Sequence, residues 1–274
     1  MNSYNDSVFA FKEFFHAIFG KLFITPLMIS LALLFLGLSQ NYPLDPTSPP
    51  GWHPAYFNAY DAWRSAIPVF VLFAPLAATI PYADSYLRDR DQGFARYILL
   101  RMTHRRYLIS KFVINGLVGG LAVALPMIVF FGFTLAVYPR TLPPLSGTPY
   151  SEEWMRSPGF LGAIYVSHAN IYILARITLG FLFGFISASL GMAVSPFARN
   201  RYVVLVFPFI FSEVYSFIFA IVGFPAWWFG YVLAPDLVLD TTAVTTLLPL
   251  GIIFSLSTVS VFGFVKKYDN FKLY

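Results

Sequence analysis

The feature that most constrains this chain is a series of six apolar runs, each long enough to cross a bilayer. Crossing the hydrocarbon core takes about 20 helical residues. The runs are continuously apolar, whereas the strands of a membrane barrel alternate, so they predict helices. We therefore expect an all-α polytopic membrane protein that forms a single domain over residues 1–274. The predicted spans are about 20–39, 65–83, 112–137, 170–195, 202–222 and 243–264.

Composition agrees with a chain that lipid must cover. Hydrophobic residues make up 58% and charged residues only 11%, whereas a soluble domain carries about 25% charged residues. Cysteine is absent, which excludes disulfides, thiolate metal sites and cysteine nucleophiles. The net charge of +5 does not by itself indicate a nucleic-acid partner, because the positions of the basic residues matter more than their sum.

The basic residues predict which side of the membrane each connection occupies, because cytoplasmic connections carry the excess of Lys and Arg. With both termini in the cytoplasm, only Arg64, Arg140 and Arg156 lie in outer connections. The five tryptophans also fall in outer connections, near the interface where such rings belong. The basic residues of the cytoplasmic side are Lys12, Lys21, Arg88, Arg90, Arg96, Arg101, Arg105, Arg106, Lys111, Arg199, Arg201, Lys266, Lys267 and Lys272.

Residues 1–19 precede the first span and have an amphipathic pattern. Phe11, Phe15 and Ile18 recur at helical spacing, with Lys12 and Glu13 between them. This pattern predicts an interfacial helix along the inner membrane surface. A simple extension of the first span is the alternative.

A second short segment, residues 223–230, is too apolar for an exposed loop and too short to span. We expect a re-entrant or interfacial turn before the sixth span, which is tolerated where protein buries its backbone.

The segment 84–111 is the only sizeable charged stretch between two spans. Asp89 and Asp91 precede Gly93 in it, and an apolar Leu99-Leu100 pair follows. A basic turn at 105–106 then leads to Lys111 at the start of the third span. The segment is compatible with helix on both sides of Gly93. Without further information it could serve only to set topology.

This order of features resembles the link between the second and third spans of the type-2 ABC exporter permeases. The amphipathic start, the six spans and the apolar turn before the sixth span also match that family. The resemblance implies a bacterial plasma-membrane permease, with a coupling helix docked in a groove of a separate ATPase. It further implies a second permease copy or a related permease, with ATP and Mg²⁺ bound only by the ATPase. The residues that the resemblance assigns to ATPase coupling are Asp84, Tyr86, Arg88, Asp89, Arg90, Asp91, Gly93 and Phe94.

The chain itself lacks the phosphate-binding loop of an ATPase. Its only Gly-Lys pair, Gly20-Lys21, has neither the earlier glycine nor the following Ser or Thr. The four histidines are scattered and no His-Glu-x-x-His occurs, so we expect no catalytic or metal site and no cofactor in this chain. An intramembrane enzyme, an ion-coupled secondary transporter and a scaffold subunit remain as alternatives. The aromatic spans favour a hydrophobic or amphipathic cargo, such as a peptide, an antibiotic or a lipid-like molecule.

Two charged residues fall inside predicted spans. Glu213 lies near the middle of the fifth span, and Arg176 lies in the outer part of the fourth. Ionisable groups at such depth usually face the bundle interior or an aqueous cavity, so both are candidates for the translocation path. Counting about 1.5 Å per residue separates them by roughly 10 Å along the membrane normal. A purely structural polar contact is the alternative.

Glycine pairs in two spans predict close helix packing. Gly116 and Gly120 are four residues apart in the third span, as are Gly180 and Gly184 in the fourth. Such spacing lets helix backbones approach closely, and we favour packing within the subunit over a dimer face.

Overall fold

The computed structural model describes residues 3–41, 58–100, 102–140, 159–234 and 241–270. These residues form helices, short turns and no strand. In chain order the α-helices are α1 (Ser3–Ile18), α2 (Lys21–Asn41), α3 (Ala59–Thr79), α4 (Ser85–Asp91), α5 (Phe94–Leu99), α6 (His104–Val137), α7 (Gly162–Ser167), α8 (Ala169–Val194), α9 (Arg201–Ile221) and α10 (Ala243–Asn270).

Six of these helices, α2, α3, α6, α8, α9 and α10, are long and apolar enough to cross a membrane, which confirms the predicted all-α six-span fold. Two spans begin earlier than the sequence predicts. Helix α3 starts at Ala59 because the Asn58 side chain accepts hydrogen bonds from the backbone amides of Tyr60 and Asp61. Helix α6 starts at His104, because the basic turn before the third span is itself helical.

The bundle has a centre and a periphery. In the most apolar 18-residue stretch of α8, 72% of the residues are buried, and in that of α3 61% are buried. The corresponding shares are 22% in α9 and 28% in α10. Helices α3 and α8 therefore form the core of the chain, and α9 and α10 leave most of their apolar surface for lipid or another chain.

Helices α6 and α8 cross at a pair of glycines. A Cβ atom built on Gly184 would lie 2.5 Å from the carbonyl oxygen of Gly119, which no side chain could occupy without moving a backbone. Gly116 and Gly120 face the rings of Phe185 and Phe181 in the same way. The predicted glycine spacing thus serves packing within the subunit, although the point of closest approach is Gly119.

Helix α1 is separate from the first span. The chain bends at residues 19–20 before α2 begins, which favours the predicted distinct helix over an extension of the span. Phe11 and Phe15 leave rings exposed on one side, 4.4 Å apart between centroids. Ala17 is buried on the other side, in an apolar cluster with Ile114 and Val118 of α6.

The segment before α10 enters the protein. It forms two 3-10 turns, Pro225–Trp227 and Phe229–Val232. The Phe229 ring is buried and stacks on Phe183 of α8, with centroids 4.5 Å apart. The second turn is covered by protein, whereas Gly223, Phe224 and Pro225 are exposed. The buried backbone that a re-entrant turn requires is therefore found only at the end of the predicted segment 223–230.

Candidate functional site

The connection between the second and third spans folds into two short helices. Helix α4 ends at Asp91, and α5 begins at Phe94. Gly93 lies between them with a φ of 77°, a left-handed conformation that glycine adopts without strain. A Cβ at Gly93 would meet nothing within 4 Å, so the backbone conformation rather than space explains this glycine. Residues 85–100, α4 and α5 with the turn between them, are named the projection below.

The side of the projection that faces the bundle rests on apolar side chains. Tyr86 is buried and its ring lies 6.3 Å from that of Tyr107 in α6. The same cluster takes in Phe9 of α1, Leu99 of α5 and Val261 of α10. The projection is therefore in contact with the ends of several helices, including the interfacial one.

An ionic network lies beside this apolar cluster. The Lys111 ammonium is 2.9 Å from the Glu13 carboxylate of α1 and 2.9 Å from the Asp89 carboxylate of α4. Only 2% of the Lys111 side chain is exposed. The Tyr107 hydroxyl donates to Asp89 at 2.7 Å, and the Tyr82 hydroxyl donates to Glu13. These five residues are named the basal cluster.

The electrostatics of the basal cluster keep its carboxylate at Glu13 ionised. Partial burial would raise the pKa of Glu13, but the charge of Lys111 and hydrogen bonds from Tyr82 and Lys111 lower it below its ordinary value. Burial, followed by the charge of Glu13, raises the pKa of Tyr82 well above its ordinary value, so its hydroxyl remains a donor.

The opposite side of the projection is exposed. It presents the Asp91 carboxylate, the Phe94 and Tyr97 rings, Arg96 and Leu100. Helix α5 buries none of its residues. An exposed surface of large apolar side chains bordered by charges is typical of a protein–protein contact.

A further contact ties the projection to the turn that precedes the fifth span. The Arg90 guanidinium donates to the backbone carbonyls of Pro196 and Ala198, at 3.3 and 3.0 Å. A cleft of about 380 Å³ lies beside this contact. The cleft is lined by Asp84, Leu87, Arg88, Asp91, Gln92, Arg199, Asn200 and Arg201.

The eight residues assigned to ATPase coupling by resemblance lie in different environments. Arg90, Asp91 and Phe94 are exposed. Asp84 and Tyr86 are buried, Arg88 is partly exposed near Asp84, and Asp89 belongs to the basal cluster. Together with Gly93, which shapes the turn, they lie in the projection or, for Asp84, directly before it, and they do not form one contact surface. Their coupling role stays a prediction.

The two intramembrane charges are not brought together. Arg176 is buried in α8 and donates to the carbonyl of Val232, in the turn before α10, at 2.7 Å. Glu213 is partly exposed on α9, beside the buried Ser212 and Ser216. Within the described residues Glu213 makes no ion pair and no hydrogen bond. Their proposed part in a translocation path stays a prediction.

Sequence reasoning did not assign a role to Glu13, Tyr82 or Tyr107. Two signals pointed to the basal cluster. Tyr107 and Lys111 are four residues apart and so share one face of α6. Glu13 is one of two acidic residues in α1, the other being Asp6.

No group of three potential metal ligands occurs among the described side chains. No protein-family model, no curated protein and no solved structure matches the chain. The fold and composition define it as a polytopic helical membrane protein.

Proposed function

We propose that this chain is the transmembrane permease subunit of an ATP-driven exporter of the type-2 ABC class. The observation that carries the proposal is the projection, which is anchored to the bundle on one side and exposed on the other. A membrane protein that receives motion from a separate ATPase needs a surface of this kind. The ATPase would bind ATP and Mg²⁺, since this chain has no phosphate-binding loop.

The exposed side of the projection would dock onto the ATPase. Phe94 and Tyr97 are the large rings available to enter a groove, and Asp91 and Arg96 supply charges at its rim. Aromatic anchors account for much of the binding energy in such contacts, whereas rim charges act mainly on specificity and association rate.

The cargo would pass beside the peripheral spans, between this chain and a second permease. Helices α9 and α10 leave most of their apolar surface uncovered within one chain. The scarcity of charged side chains within these spans favours a hydrophobic or amphipathic cargo. Glu213, near the middle of α9, is the side chain that we expect to contact the cargo or to take part in coupling.

The experiment that tests this proposal is to purify the chain alone and together with the ATPase encoded beside it. Co-purification, with ATP turnover that depends on the permease, is the expected result. Hydrolase activity of the chain alone would refute the proposal. An ATPase whose turnover rate is the same with and without the permease would also refute it.

Glu213 supports a second candidate, an ion-coupled secondary transporter. A carboxylate that has no partner in the described part of a span is the kind of group that carries a proton or binds a cation. The two candidates differ in their energy source. Transport by vesicles that needs ATP and survives an ionophore favours the exporter, whereas transport that an ionophore abolishes favours the ion-coupled carrier.

A further inference from the structure

The basal cluster joins three elements that are remote in sequence. Glu13 comes from the interfacial helix α1, Asp89 from α4 in the projection, and Lys111 from the base of the third span. A single ammonium group is within 2.9 Å of both carboxylates. The ring of Tyr82, whose hydroxyl donates to Glu13, lies 5.0 Å from the same ammonium.

We propose that Lys111 is a positioning residue that makes α1 and the projection move as one unit. This inference rests on the proposed function, because it says which elements the ATPase would drive. A movement of the ATPase against the projection would displace helix α1 together with the start of α6. The signal would thus enter the membrane at α1 as well as at the spans.

The chemistry of the cluster explains why the joint is ionic. Apolar contacts between α1 and α6, such as Ala17 against Ile114, allow helices to slide or rotate at little cost. Charge-assisted hydrogen bonds have preferred distances and directions, so they fix the register of one helix against another. Because Lys111 is almost fully covered, water cannot readily replace either carboxylate.

Each member of the cluster has a distinct expected role. Without the ammonium group, the carboxylates of Glu13 and Asp89 would repel each other across a covered site. In Glu13→Gln, Lys111 would keep its ion pair with Asp89, whereas its link to α1 would weaken to a hydrogen bond with an uncharged amide. Glu13→Gln is therefore the milder variant, which should preserve the bundle while loosening α1.

The test uses the absence of cysteine in the chain. Spin labels are attached at Lys12→Cys on α1 and Gln92→Cys between α4 and α5, both exposed positions. A third label at Ser167→Cys on α7 provides a distant reference. Distance distributions are measured for the permease alone in nanodiscs, and for the ATPase complex without nucleotide and with ATP trapped by vanadate.

In the permease alone, the 12–92 distance should be narrowly distributed, and Glu13→Gln should broaden it at least twofold. Glu13→Asp should restore part of the narrow distribution. Lys21→Gln, at an exposed position at the start of α2 and outside the cluster, serves as the charge-removal control and should leave the 12–92 distribution unchanged. An unchanged distribution in Glu13→Gln would overturn the joint.

In the complex, trapping ATP should shift the 92–167 and 12–167 distances while the 12–92 distance stays constant. A change of the 12–92 distance as large as the 92–167 change would overturn the proposal. If no ATPase associates, the proposed function fails, and the measurements on the permease alone still decide whether the joint exists.

Discussion

Two polar clusters brace opposite ends of the bundle, and they are built differently. In the outer cluster, Asp61 accepts hydrogen bonds from Asn58 at 2.6 Å, Arg64 at 2.9 Å and Tyr165 at 2.5 Å. Three of these four residues lie within two turns of α3, so most of this cluster is local. The basal cluster instead draws its charges from three separate elements around one covered ammonium group.

The difference indicates what each cluster does. The outer cluster defines where the second span begins and holds α7 beside it through Tyr165, whose ring also lies 4.6 Å from the Arg64 guanidinium. Its ion pair is partly exposed, which limits its energy. The basal cluster instead connects α1 and the projection to α6. One cluster shapes a helix end, and the other links three separate elements.

The largest expected effect is that of Lys111→Met compared with Arg64→Met. Removing one partner from a buried ionic group costs about 3–5 kcal/mol, and removal of the covered Lys111 leaves two like charges close together, with Glu13 30% and Asp89 17% exposed. Removing Arg64 from its partly exposed pair should cost about 1 kcal/mol or less. The free energy of unfolding in mixed detergent measures both. Equal losses would show that the two clusters are energetically alike.

A smaller effect is expected from Asp61→Asn in the outer cluster. The amide keeps some acceptor capacity but loses the charge that Arg64 and the Tyr165 hydroxyl contact, for a loss of about 1–2 kcal/mol. The ATPase rate of the complex should remain near that of the wild type. The matched comparison is Asp89→Asn, which should change both stability and ATPase coupling. A coupling defect in Asp61→Asn would remove the functional distinction between the clusters.

The smallest expected effect is that of pH, near neutrality, on the stability that Glu13 contributes. The pKa of Glu13 is lowered from its ordinary value of 4.5, so its ionic contact stabilises the fold at all pH values above that range. The stabilisation is lost as the pH falls through the lowered value. The difference in unfolding free energy between wild type and Glu13→Gln should therefore stay constant from about pH 6 to pH 8 and shrink below pH 4.5. A difference that changed between pH 6 and pH 8 would contradict the assigned charge state.

The limits of a span could be predicted from the sequence where its apolar run ends abruptly. The predicted fourth span, 170–195, differs from α8 by one residue at each end, because polar or small residues flank it closely. The second span was predicted to begin six residues too late and to end four residues too late, and the third to begin eight residues too late. The late starts arise because Asp61, Arg64 and the basic turn at 105–106 are helical although they precede the apolar runs. Charged side chains at membrane ends can extend toward water while their backbone stays helical.

The site could be predicted only in part. The charged segment and its break at Gly93 follow from local sequence. Asp89 turns inward and Asp91 is exposed. Local sequence does not predict this difference, because both residues precede Gly93 in the same alternation of acidic and basic residues. The meeting of Glu13 with Lys111 depends on how α1 packs against α6, and no spacing within one segment specifies that contact.

The most direct test of the central claim, that the exposed side of the projection receives the ATPase, is the pair Asp91→Arg and Phe94→Ala in one chain. Both side chains are exposed, so the unfolding free energy should stay within about 0.5 kcal/mol of wild type. Binding to the ATPase, measured with both proteins in nanodiscs or detergent, should weaken at least tenfold. Asp45→Arg, on the predicted outer loop, is the matched charge reversal and should bind normally. Wild-type binding and wild-type stimulation of ATP turnover by the double variant would contradict the account.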